Sequence, residues 1–178
     1  MIRKNGSLRP LREGDLKSIL SWRNHPSIRA YMYNDEIISE NEHMGWWDKI
    51  SKSQSDAYFI YEEGGIDLGV CNFTQLSKLH RRAFWAFYAR PDAPRGTGKK
   101  MEYLMLTKAF EELGLVKLNC EVLSSNMAVV NLHKKFGFIE EGQFSKHIFR
   151  DQEWLNVFRL ALFEDVWLSS VKHELNPF

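Results

Sequence analysis

The chain has few cysteines and no excess of charge of either sign. Cys71 and Cys120 are its two cysteines, and both lie in apolar stretches without the spacing of a disulfide framework or a metal site. Lys and Arg number 24 against 23 for Asp and Glu, so the net charge is +1 and lacks the basic excess that nucleic-acid phosphates require. We therefore expect a reducing, cytoplasmic compartment, no bound metal and no nucleic-acid partner.

Long hydrophobic runs are also missing. The first residues, MIRKNGSLRPLREGD, contain no apolar core of signal-peptide length, and no later stretch approaches the run that spans a bilayer. We therefore expect neither export nor a membrane partner. Hydrophobic residues make up 44% and charged residues 26% of the 178, a balance typical of folded proteins. With no repeat or linker in sight, we expect residues 1–178 to form one domain.

Hydrophobic spacing predicts a chain in which strands and helices are mixed. The acidic turn that ends at Asp15 precedes a helical pattern, and a second helix over 40–52 has Ser39 as its cap and Met44, Trp47 and Ile50 facing a core. Further helices are predicted over 98–113 and over 126–136, where Gly137 is a natural stop. The predicted strands cover 7–11, 57–61, 66–73, 83–89, 118–123, 145–149 and 154–162.

A glycine-rich turn, ARPDAPRGTGKKMEYLML, joins the strand over 83–89 to the long helix that follows it. Gly96 and Gly98 let the backbone bend tightly, so that several N–H groups at the start of the helix are exposed to a pyrophosphate. Arg95, Lys99 and Lys100 add positive charge around that point. The alternative is that the glycines merely end a turn and cap a helix.

Two motifs in this part of the chain resemble those of the GCN5-related N-acetyltransferases. The glycine-rich turn is similar to their acetyl-CoA signature, Q/R-x-x-G-x-G/A, although Lys100 stands where Gly or Ala is usual. Downstream, SSNMAVVNLHKKFGF resembles their N-x-x-A-x-x-L-Y-x-x-x-G-F word, with Val129 in place of Ala and His133 in place of Tyr. The matching positions are Arg95, Gly96, Thr97, Gly98, Lys99, Asn126, Leu132, Gly137 and Phe138.

This resemblance implies an α+β fold of the GNAT type, in which helices flank a central, twisted, mixed and mostly antiparallel sheet. Two central strands would splay to form the slot for acetyl-CoA, the implied co-substrate. The backbone of Phe87, Tyr88 and Ala89 would pair with its pantetheine arm and polarise the thioester carbonyl. The turn from Arg95 to Lys99 would hold the pyrophosphate, and Asn126 would contact the arm.

Acetyl transfer to an amine requires removal of a proton from the nitrogen, because most alkyl amines are protonated near neutral pH. Glu121 is the candidate base, acting through a bound water from the strand that lines the implied slot. His133 is the candidate acid, since it stands where many members have a tyrosine that protonates the leaving thiolate. The alternatives are that Glu121 is a solvated strand glutamate and that His133 packs at the helix surface.

The amino-terminal half suggests the acceptor. Its Trp22-Arg23-Asn24 word resembles the branch with ribosomal-protein, polyamine and amino-sugar acetyltransferases. The stretch as a whole is closest to the UDP-4-amino-4,6-dideoxy-N-acetyl-β-L-altrosamine N-acetyltransferases of pseudaminic acid biosynthesis, which implies a nucleotide-linked amino sugar as substrate. The expected substrate-binding residues are Arg23, Asn24, Arg29, Met32, His43 and Trp46, with Tyr31 and Tyr33 as further aromatic candidates. Phe144, His147 and Phe149 form another aromatic patch near the implied slot, and either set of aromatic residues could instead be packing.

Three questions stay open at this level. A ribosomal-type or other small-amine N-acetyltransferase shares the Trp-Arg-Asn word, although the balanced charge does not indicate an acidic groove for basic peptides. The departures at Lys100 and His133 also allow a catalytically silent acyl-CoA-binding module. The sequence is compatible with a monomer or a homodimer.

Overall fold

A computed structural model describes residues 6–178, apart from the side chain of residue 170. This part of the chain contains seven strands, and helices separate β1 from β2, β4 from β5 and β5 from β6. The strands are β1 (Ser7–Pro10), β2 (Ala57–Glu63), β3 (Ile66–Ser77), β4 (Arg82–Ala89), β5 (Lys117–Leu123), β6 (Ile139–Arg150) and β7 (Glu153–Phe163). The main helices are α1 (Leu16–Arg23), α2 (Pro26–Arg29), α3 (Glu40–Ile50), α4 (Thr97–Thr107) and α5 (Met127–Lys135), and short helical turns occupy Glu164–Val166, Trp167–Val171 and Lys172–Glu174.

All seven strands form one sheet in the order β1-β2-β3-β4-β5-β7-β6. Neighbouring strands are antiparallel except for β4 and β5, which are parallel. The prediction of a mixed, mostly antiparallel sheet flanked by helices is therefore confirmed. The parallel pair arises because α4 carries the chain from the end of β4 back to the start of β5, as a crossover between parallel strands requires.

The parallel pairing of β4 with β5 is short. It joins Arg82, Ala83 and Phe84 to Lys117, Leu118 and Asn119, and ends there although both strands continue. Beyond this point, which we call the branch point, the rest of β4 still pairs with β3, and the rest of β5 still pairs with β7. The two halves of the sheet thus separate in the middle, as the predicted slot requires.

A hydrophobic cluster covers each face of the sheet. The larger cluster packs α4, α5 and the helical turns after β7 against one face, and Met101, Phe136 and Trp167 are fully buried in it. The smaller cluster packs α1 and α3 on the other face, around Ile19 and Ile60. Because side chains alternate along a strand, Leu118, Cys120 and Val122 of β5 point into the larger cluster, and Glu121 lies on the opposite face.

Side-chain caps and glycines explain where three of the helices begin or end. Ser39 and Glu42 form the capping box that starts α3, and Asn126 caps α5 through its side chain. Gly96 precedes α4 with φ of 93°, and Gly137 follows α5 with φ of 88°, a region in which side chains with a Cβ are strained. Both glycines were part of the sequence prediction.

Several details differ from the predicted elements. Strand β6 covers Ile139–Arg150, whereas the sequence predicted a strand over 145–149. Met44 is 47% exposed, whereas His43, one position earlier, is buried against α1. The short helix α2 was not predicted; Pro26 opens it, with His25 as its cap. The long helix ends as an α-helix at Thr107 and continues as a wider, π-helical turn over Lys108–Glu112. In residues 6–178 no helix is long and apolar enough to cross a membrane.

Candidate active site

The turn before α4 offers hydrogen-bond donors to an anion. The Thr97 hydroxyl donates to the Pro94 carbonyl over 2.7 Å and closes the turn. The first N–H groups of a helix have no carbonyl partner within the helix, and the helix dipole makes this end positive. Arg95 is exposed and Lys99 is half-buried beside the turn. This part of the chain therefore fits the pyrophosphate of acetyl-CoA.

Lys100 is directed elsewhere. Its ammonium group donates to Glu63 at the end of β2, with Nζ 2.5 Å from Oε1. The residue that departs from the signature is therefore tied to the sheet by an ion pair, and its charge is compensated by that carboxylate. Arg95 and Lys99 are the cations left beside the turn.

Gly98 lets α4 approach the slot closely. A Cβ at this position would lie 3.3 Å from the ring of Phe87 and 3.7 Å from the side chain of Leu132. Its φ is not in the left-handed region, so the reason for glycine here is space and not backbone conformation. The signature glycine thus brings the helix against β4 and α5 at the edge of the slot.

The slot itself lies between β4 and β5 beyond the branch point. Phe87, Tyr88 and Ala89 pair with β3 through one edge of β4, and the other edge of β4 faces the gap. Backbone groups on such an edge are free to pair with an extended amide chain. The pantetheine arm of acetyl-CoA is such a chain, so the predicted contacts of these three residues fit the geometry. Asn126 lies on the other side of the gap, where its side-chain oxygen accepts from the Val129 N–H over 3.4 Å.

His133 lies beneath the branch point. Only 2% of its surface is exposed, and its Nδ1 lies 2.7 Å from Oε1 of Glu102, a fully buried residue of α4. The imidazole is surrounded by the rings of Trp85, Phe87 and Phe138, with centroids 5.3, 6.0 and 5.0 Å away. The alternative that His133 packs at the helix surface is therefore wrong, because the residue is buried against both α4 and β4.

The Glu102 and His133 pair shares a strongly perturbed environment. Burial disfavours the charged imidazole, but the neighbouring Cys120 and Glu102 outweigh this effect and raise the pKa of His133 to about 10. Burial also raises the pKa of Glu102, against the opposing effect of His133. Burial thus opposes charge on both residues, and the second carboxylate oxygen of Glu102 is buried without a hydrogen-bond partner.

Glu121 lies on the opposite face of β5, in a different network. One of its carboxylate oxygens accepts from the Tyr33 hydroxyl over 2.6 Å, and the other accepts from Arg159 over 2.8 Å. Arg159 is the cross-strand neighbour of Glu121 on β7, and its guanidinium stacks 4.0 Å above the ring of Phe84. Burial and the bond to Glu121 both raise the pKa of Tyr33, so this hydroxyl keeps its proton well above neutral pH. Glu121 is therefore a carboxylate with two fixed donors, at the mouth of the slot.

A row of aromatic side chains continues from Tyr33. The ring of His147 lies edge-on to Tyr33 at 6.2 Å, and Phe144 lies 5.1 Å beyond His147. Tyr33 and Phe144 are 44% and 41% exposed, so their faces are accessible to a ligand. We call Tyr33, His147 and Phe144 the aromatic row. It extends from Glu121 along β6.

The segment that carries Tyr33, residues 24–38, is held by its own polar contacts. We call it the acceptor loop. Asn24 uses both ends of its amide on the backbone of Ile38, with distances of 2.8 and 2.9 Å. Arg23 donates to the Asn34 carbonyl over 2.8 Å, and Arg29 donates to the carbonyls of Asn24 and Asp35. These residues therefore fix the loop that presents Tyr33 to Glu121.

Arg150 fastens the same loop from the other side. From the end of β6 it donates to the Ala30 carbonyl over 2.7 Å and to the carbonyl of Met32, and its Nε lies 3.1 Å from the carboxylate of Asp35. Beside this contact lies a cavity of about 330 Å³. Its charged lining residues are Arg29, Asp35, Arg150, Asp151 and Glu153.

The predicted substrate-binding residues lie in two parts of the structure. His43 packs flat against Trp46 at 5.0 Å and its Nε2 lies 3.0 Å from the Leu16 carbonyl, while Trp46 packs edge-on against Tyr58. Trp46 therefore packs α3 against β2, whereas His43 packs α3 against α1 and also lines a second cavity beside α1. The side-chain amide of Asn24 is already used by Ile38. Arg23, Arg29 and Met32 lie in or beside the acceptor loop. Both arginines bind backbone carbonyls there, and Arg29 also lines the cavity beside Arg150.

The side-chain pairs that make the site are not visible in the sequence, although Tyr33 was named as an aromatic candidate. Arg159 was identifiable in principle, because an Arg on a neighbouring strand is the common partner of a strand carboxylate. Tyr33 is 88 residues from Glu121, and Glu102 is 31 residues from His133, with no local pattern to connect either pair. Within residues 6–178 no group of three or more His, Cys, Asp or Glu side chains is arranged to hold a metal ion.

Comparison with known proteins agrees with this arrangement. Residues 7–139 match the family described as the acetyltransferase (GNAT) domain. Spermidine N(1)-acetyltransferase of Escherichia coli K12 is 26% identical over 166 residues, which cover 93% of this chain and 89% of that protein. Acetyltransferase PseH of Campylobacter jejuni 81-176 is 26% identical over 128 residues, or 72% of this chain and 79% of that protein.

The fold has close counterparts among solved structures. Spermidine N-acetyltransferase from Vibrio cholerae, solved in complex with CoA and spermine, superposes with a TM-score of 0.87 at 23% identity. The alignment covers 93% of this chain and 99% of that one. The family match covers most of the chain, and the structure has a sheet that separates beside a glycine turn. The chain therefore belongs to the GNAT family of acetyl-CoA-dependent N-acetyltransferases.

Proposed function

We propose that this enzyme acetylates the 4-amino group of a UDP-linked 4-amino-4,6-dideoxy sugar, UDP-4-amino-4,6-dideoxy-N-acetyl-β-L-altrosamine, as one domain over residues 1–178. The observation that carries the proposal is the aromatic row, which starts at the Tyr33 hydroxyl bonded to Glu121 and presents exposed ring faces. Sugar rings and nucleobases stack on such faces, because the apolar side of either ring matches an aromatic plane. A polycation gains less binding free energy from aromatic ring faces than from unpaired carboxylates.

Charge pairing supports the same choice. Glu121 is bonded to Arg159, and Asp35 is bonded to Arg150, so each of these carboxylates on the acceptor side already has a cationic partner. A site for a polyamine needs carboxylates whose charge is left for the ligand. The resemblance of residues 22–47 to nucleotide-sugar N-acetyltransferases agrees with the aromatic row.

For the co-substrate, we propose that the turn from Arg95 to Lys99, with Gly96, Thr97 and Gly98, holds the pyrophosphate of acetyl-CoA. Backbone groups of Phe87, Tyr88 and Ala89 bind the pantetheine arm, and Asn126 borders it across the slot. Acetyl-CoA supplies the activated acetyl group. The protein holds its thioester carbonyl against β4, where backbone N–H groups stabilise the negative charge that develops on oxygen.

For proton transfer, we propose that Glu121 removes a proton from the acceptor amine through a bound water. Its position at the mouth of the slot supports this role, because the amine must reach the thioester from the acceptor face. Tyr33 and Arg159 fix both carboxylate oxygens, and the Tyr33 hydroxyl, still protonated at the working pH, orients the carboxylate without competing for the proton. His133 assists the departure of the thiolate from the other side of the slot.

A polyamine is the second candidate acceptor. Spermidine N(1)-acetyltransferase is similar over more of the chain than acetyltransferase PseH, at the same 26% identity. The cavity beside Arg150 also has three carboxylates, Asp35, Asp151 and Glu153, against two arginines. A cationic chain that reaches into this cavity would gain from the net negative charge.

The experiment is a measurement of acetyl-CoA consumption with a panel of amines. The panel contains the UDP-amino sugar, spermidine, spermine and a basic amino-terminal peptide, each at several concentrations. We expect kcat/KM for the UDP-amino sugar to exceed that for every other amine by at least about 100-fold, equal to ~2.7 kcal/mol of transition-state discrimination. A higher value for spermidine would replace the proposed acceptor with the second candidate, and no transfer to any amine would contradict the proposed reaction itself.

A variant of the glycine turn tests the acetyl-CoA site separately. Gly98→Val places a branched side chain where a Cβ alone would lie 3.3 Å from the Phe87 ring, so it crowds both the turn and the slot. We expect acetyl-CoA affinity, measured by titration calorimetry, to fall more than tenfold, or more than ~1.4 kcal/mol. Gly45→Val, on an open surface of α3 with nothing within 4 Å, is the matched control. Equal affinity in a folded Gly98→Val protein would place the cofactor elsewhere.

A further inference from the structure

We propose that Asn119 is a positioning residue that aligns the candidate base Glu121 with the acetyl-CoA slot. It acts through Arg159, the cationic partner of Glu121. The inference rests on the proposed role of Glu121 for the chemistry and on side-chain contacts for the alignment. Only 1% of the surface of Asn119 is exposed, so this residue acts through its neighbours and not on a substrate.

Asn119 lies at the branch point, where β4 and β5 separate. It belongs to the last pair of the two strands, opposite Phe84. Its side-chain Nδ2 donates to the Ala83 carbonyl of β4 over 3.0 Å. A side chain of β5 therefore adds a hydrogen bond between the two strands at the point where their pairing ends. Beyond this bond, β4 continues along the slot and β5 continues to Glu121.

The other end of the same amide faces Arg159. Oδ1 of Asn119 accepts from Nη2 of Arg159 over 3.4 Å, and Cζ of Arg159 lies 4.0 Å from the centroid of the Phe84 ring. Both residues of the last pair of β4 and β5 therefore hold one guanidinium, Asn119 at its edge and Phe84 at its face. The planar guanidinium makes these contacts together with its bond to Glu121, because its N–H groups project in fixed directions.

These contacts form a continuous network from the branch point to the acceptor loop. Nη1 of Arg159 donates to Oε1 of Glu121 over 2.8 Å, and the second oxygen of Glu121 accepts from the Tyr33 hydroxyl. The side chains of Arg159 and Glu121 are only 22% and 25% exposed, so solvent screens their ion pair in part. The carboxylate is thus tied to the strands that open the slot as well as to the acceptor loop.

The network supplies an alignment that backbone pairing does not. A general base must reach the amine directly or through one water, and the amine must lie near the thioester that we place against β4. Glu121 belongs to β5, which no longer pairs with β4 at this level. Asn119 therefore fixes the base relative to the thioester, and in such a site a displacement of about 1 Å lowers the rate by about 100-fold.

The first test compares Asn119→Ala, Glu121→Gln and the variant with both changes. We expect Asn119→Ala to lower kcat by about 10- to 100-fold, because the carboxylate loses its alignment. In the Glu121→Gln background the base and its ion pair are already lost, so the same substitution should change the residual turnover by less than about twofold. Turnover is measured with the UDP-amino sugar, or with spermidine if that amine is the better acceptor. An equal loss in both backgrounds would mean a purely structural role and would overturn the inference.

Failure of the proposed function gives a different result from failure of the inference. If Glu121→Gln alone keeps the turnover of the wild type, Glu121 is not the base, and the inference falls with that proposal. If Glu121→Gln loses turnover and Asn119→Ala keeps it, the inference alone is overturned. Calorimetry should show acetyl-CoA affinity of Asn119→Ala within about threefold of the wild type, since the glycine turn is unchanged. A loss above about tenfold would assign Asn119 to the cofactor slot in place of the base.

A second variant, Phe84→Leu, leaves the buried amide intact and serves if Asn119→Ala does not fold. It removes the ring that holds the face of Arg159, so we expect kcat to fall by about three- to tenfold, and only where Glu121 is present. Ile60→Val, which removes one buried carbon from the smaller cluster, is the control for lost stability and should keep the kcat of the wild type. Wild-type turnover of Phe84→Leu, or an equal fall in the Glu121→Gln background, would contradict the proposed alignment.

Discussion

Glu121→Gln is expected to lower turnover by about 10² to 10⁴-fold while acetyl-CoA affinity stays within twofold of the wild type. The range is the usual contribution of a general base. The amide keeps the size of the side chain and an oxygen that accepts from Tyr33, but its NH2 group cannot accept from Arg159. The variant therefore loses the proton acceptor together with the ion pair. Glu121 also lies on the acceptor face of β5, away from the turn proposed to bind the pyrophosphate. We therefore expect its substitution to lower turnover and to leave acetyl-CoA affinity unchanged.

The matched control for this variant is Glu141→Gln. Glu141 also belongs to a strand ion pair, with Lys117 at 2.6 Å, but lies outside the site. We expect turnover of the control to equal that of the wild type. Turnover of Glu121→Gln within twofold of the wild type would assign the proton transfer to water or to the substrate itself, and would remove Glu121 from the catalytic residues.

Removal of the UDP group from the acceptor is expected to lower kcat/KM by about 100-fold or more, although the reacting amine is unchanged. Contacts with remote parts of a substrate hold the amine near the thioester, and their loss reduces the rate of the bound complex as well as binding. Steady-state kinetics with the free 4-amino sugar and with the nucleotide sugar measure the effect.

Free UDP provides the control for the truncation. If the nucleotide occupies the acceptor side, UDP inhibits competitively against the nucleotide sugar and does not accelerate the free sugar to the original rate. Equal kcat/KM for the free and nucleotide-linked sugars would show that the nucleotide is not recognised. The aromatic row would then serve a simpler amine.

The central part of the fold was predictable because its signals are local. The alternation of a buried strand, a glycine turn and an amphipathic helix placed β4 and α4 correctly, and Gly137 placed the end of α5. Glycine preferences and hydrophobic period act within a few residues, so one sequence suffices to detect them. The same reasoning erred on α3, where Met44 was assigned to the core and His43 fills it. A flat imidazole that stacks on Trp46 and contacts the Leu16 carbonyl fits there, and hydrophobicity alone does not show this.

The acceptor side was less predictable because its contacts are distant in sequence. Arg23 and Arg29 have the charge that suits a diphosphate, yet both bind carbonyls of the acceptor loop. That choice depends on how the loop folds back on itself, which residue spacing does not reveal. The buried contact between Glu102 and His133 is equally hard to foresee, since Glu102 stands in an ordinary helical position and its partner is on another helix. Residue types therefore indicate which chemistry a site can perform. Which side chains pair with one another depends on the tertiary structure.

One competition experiment tests the central claim most directly. The enzyme receives limiting acetyl-CoA together with equal concentrations of UDP-4-amino-4,6-dideoxy-N-acetyl-β-L-altrosamine and spermidine, and mass spectrometry measures both acetylated products. Because both amines compete for the same enzyme, the product ratio early in the reaction equals the ratio of their kcat/KM values. We predict at least about 100 molecules of acetylated nucleotide sugar for each acetylated spermidine, with the new acetyl group on the 4-amino nitrogen. An excess of acetylspermidine would contradict the account.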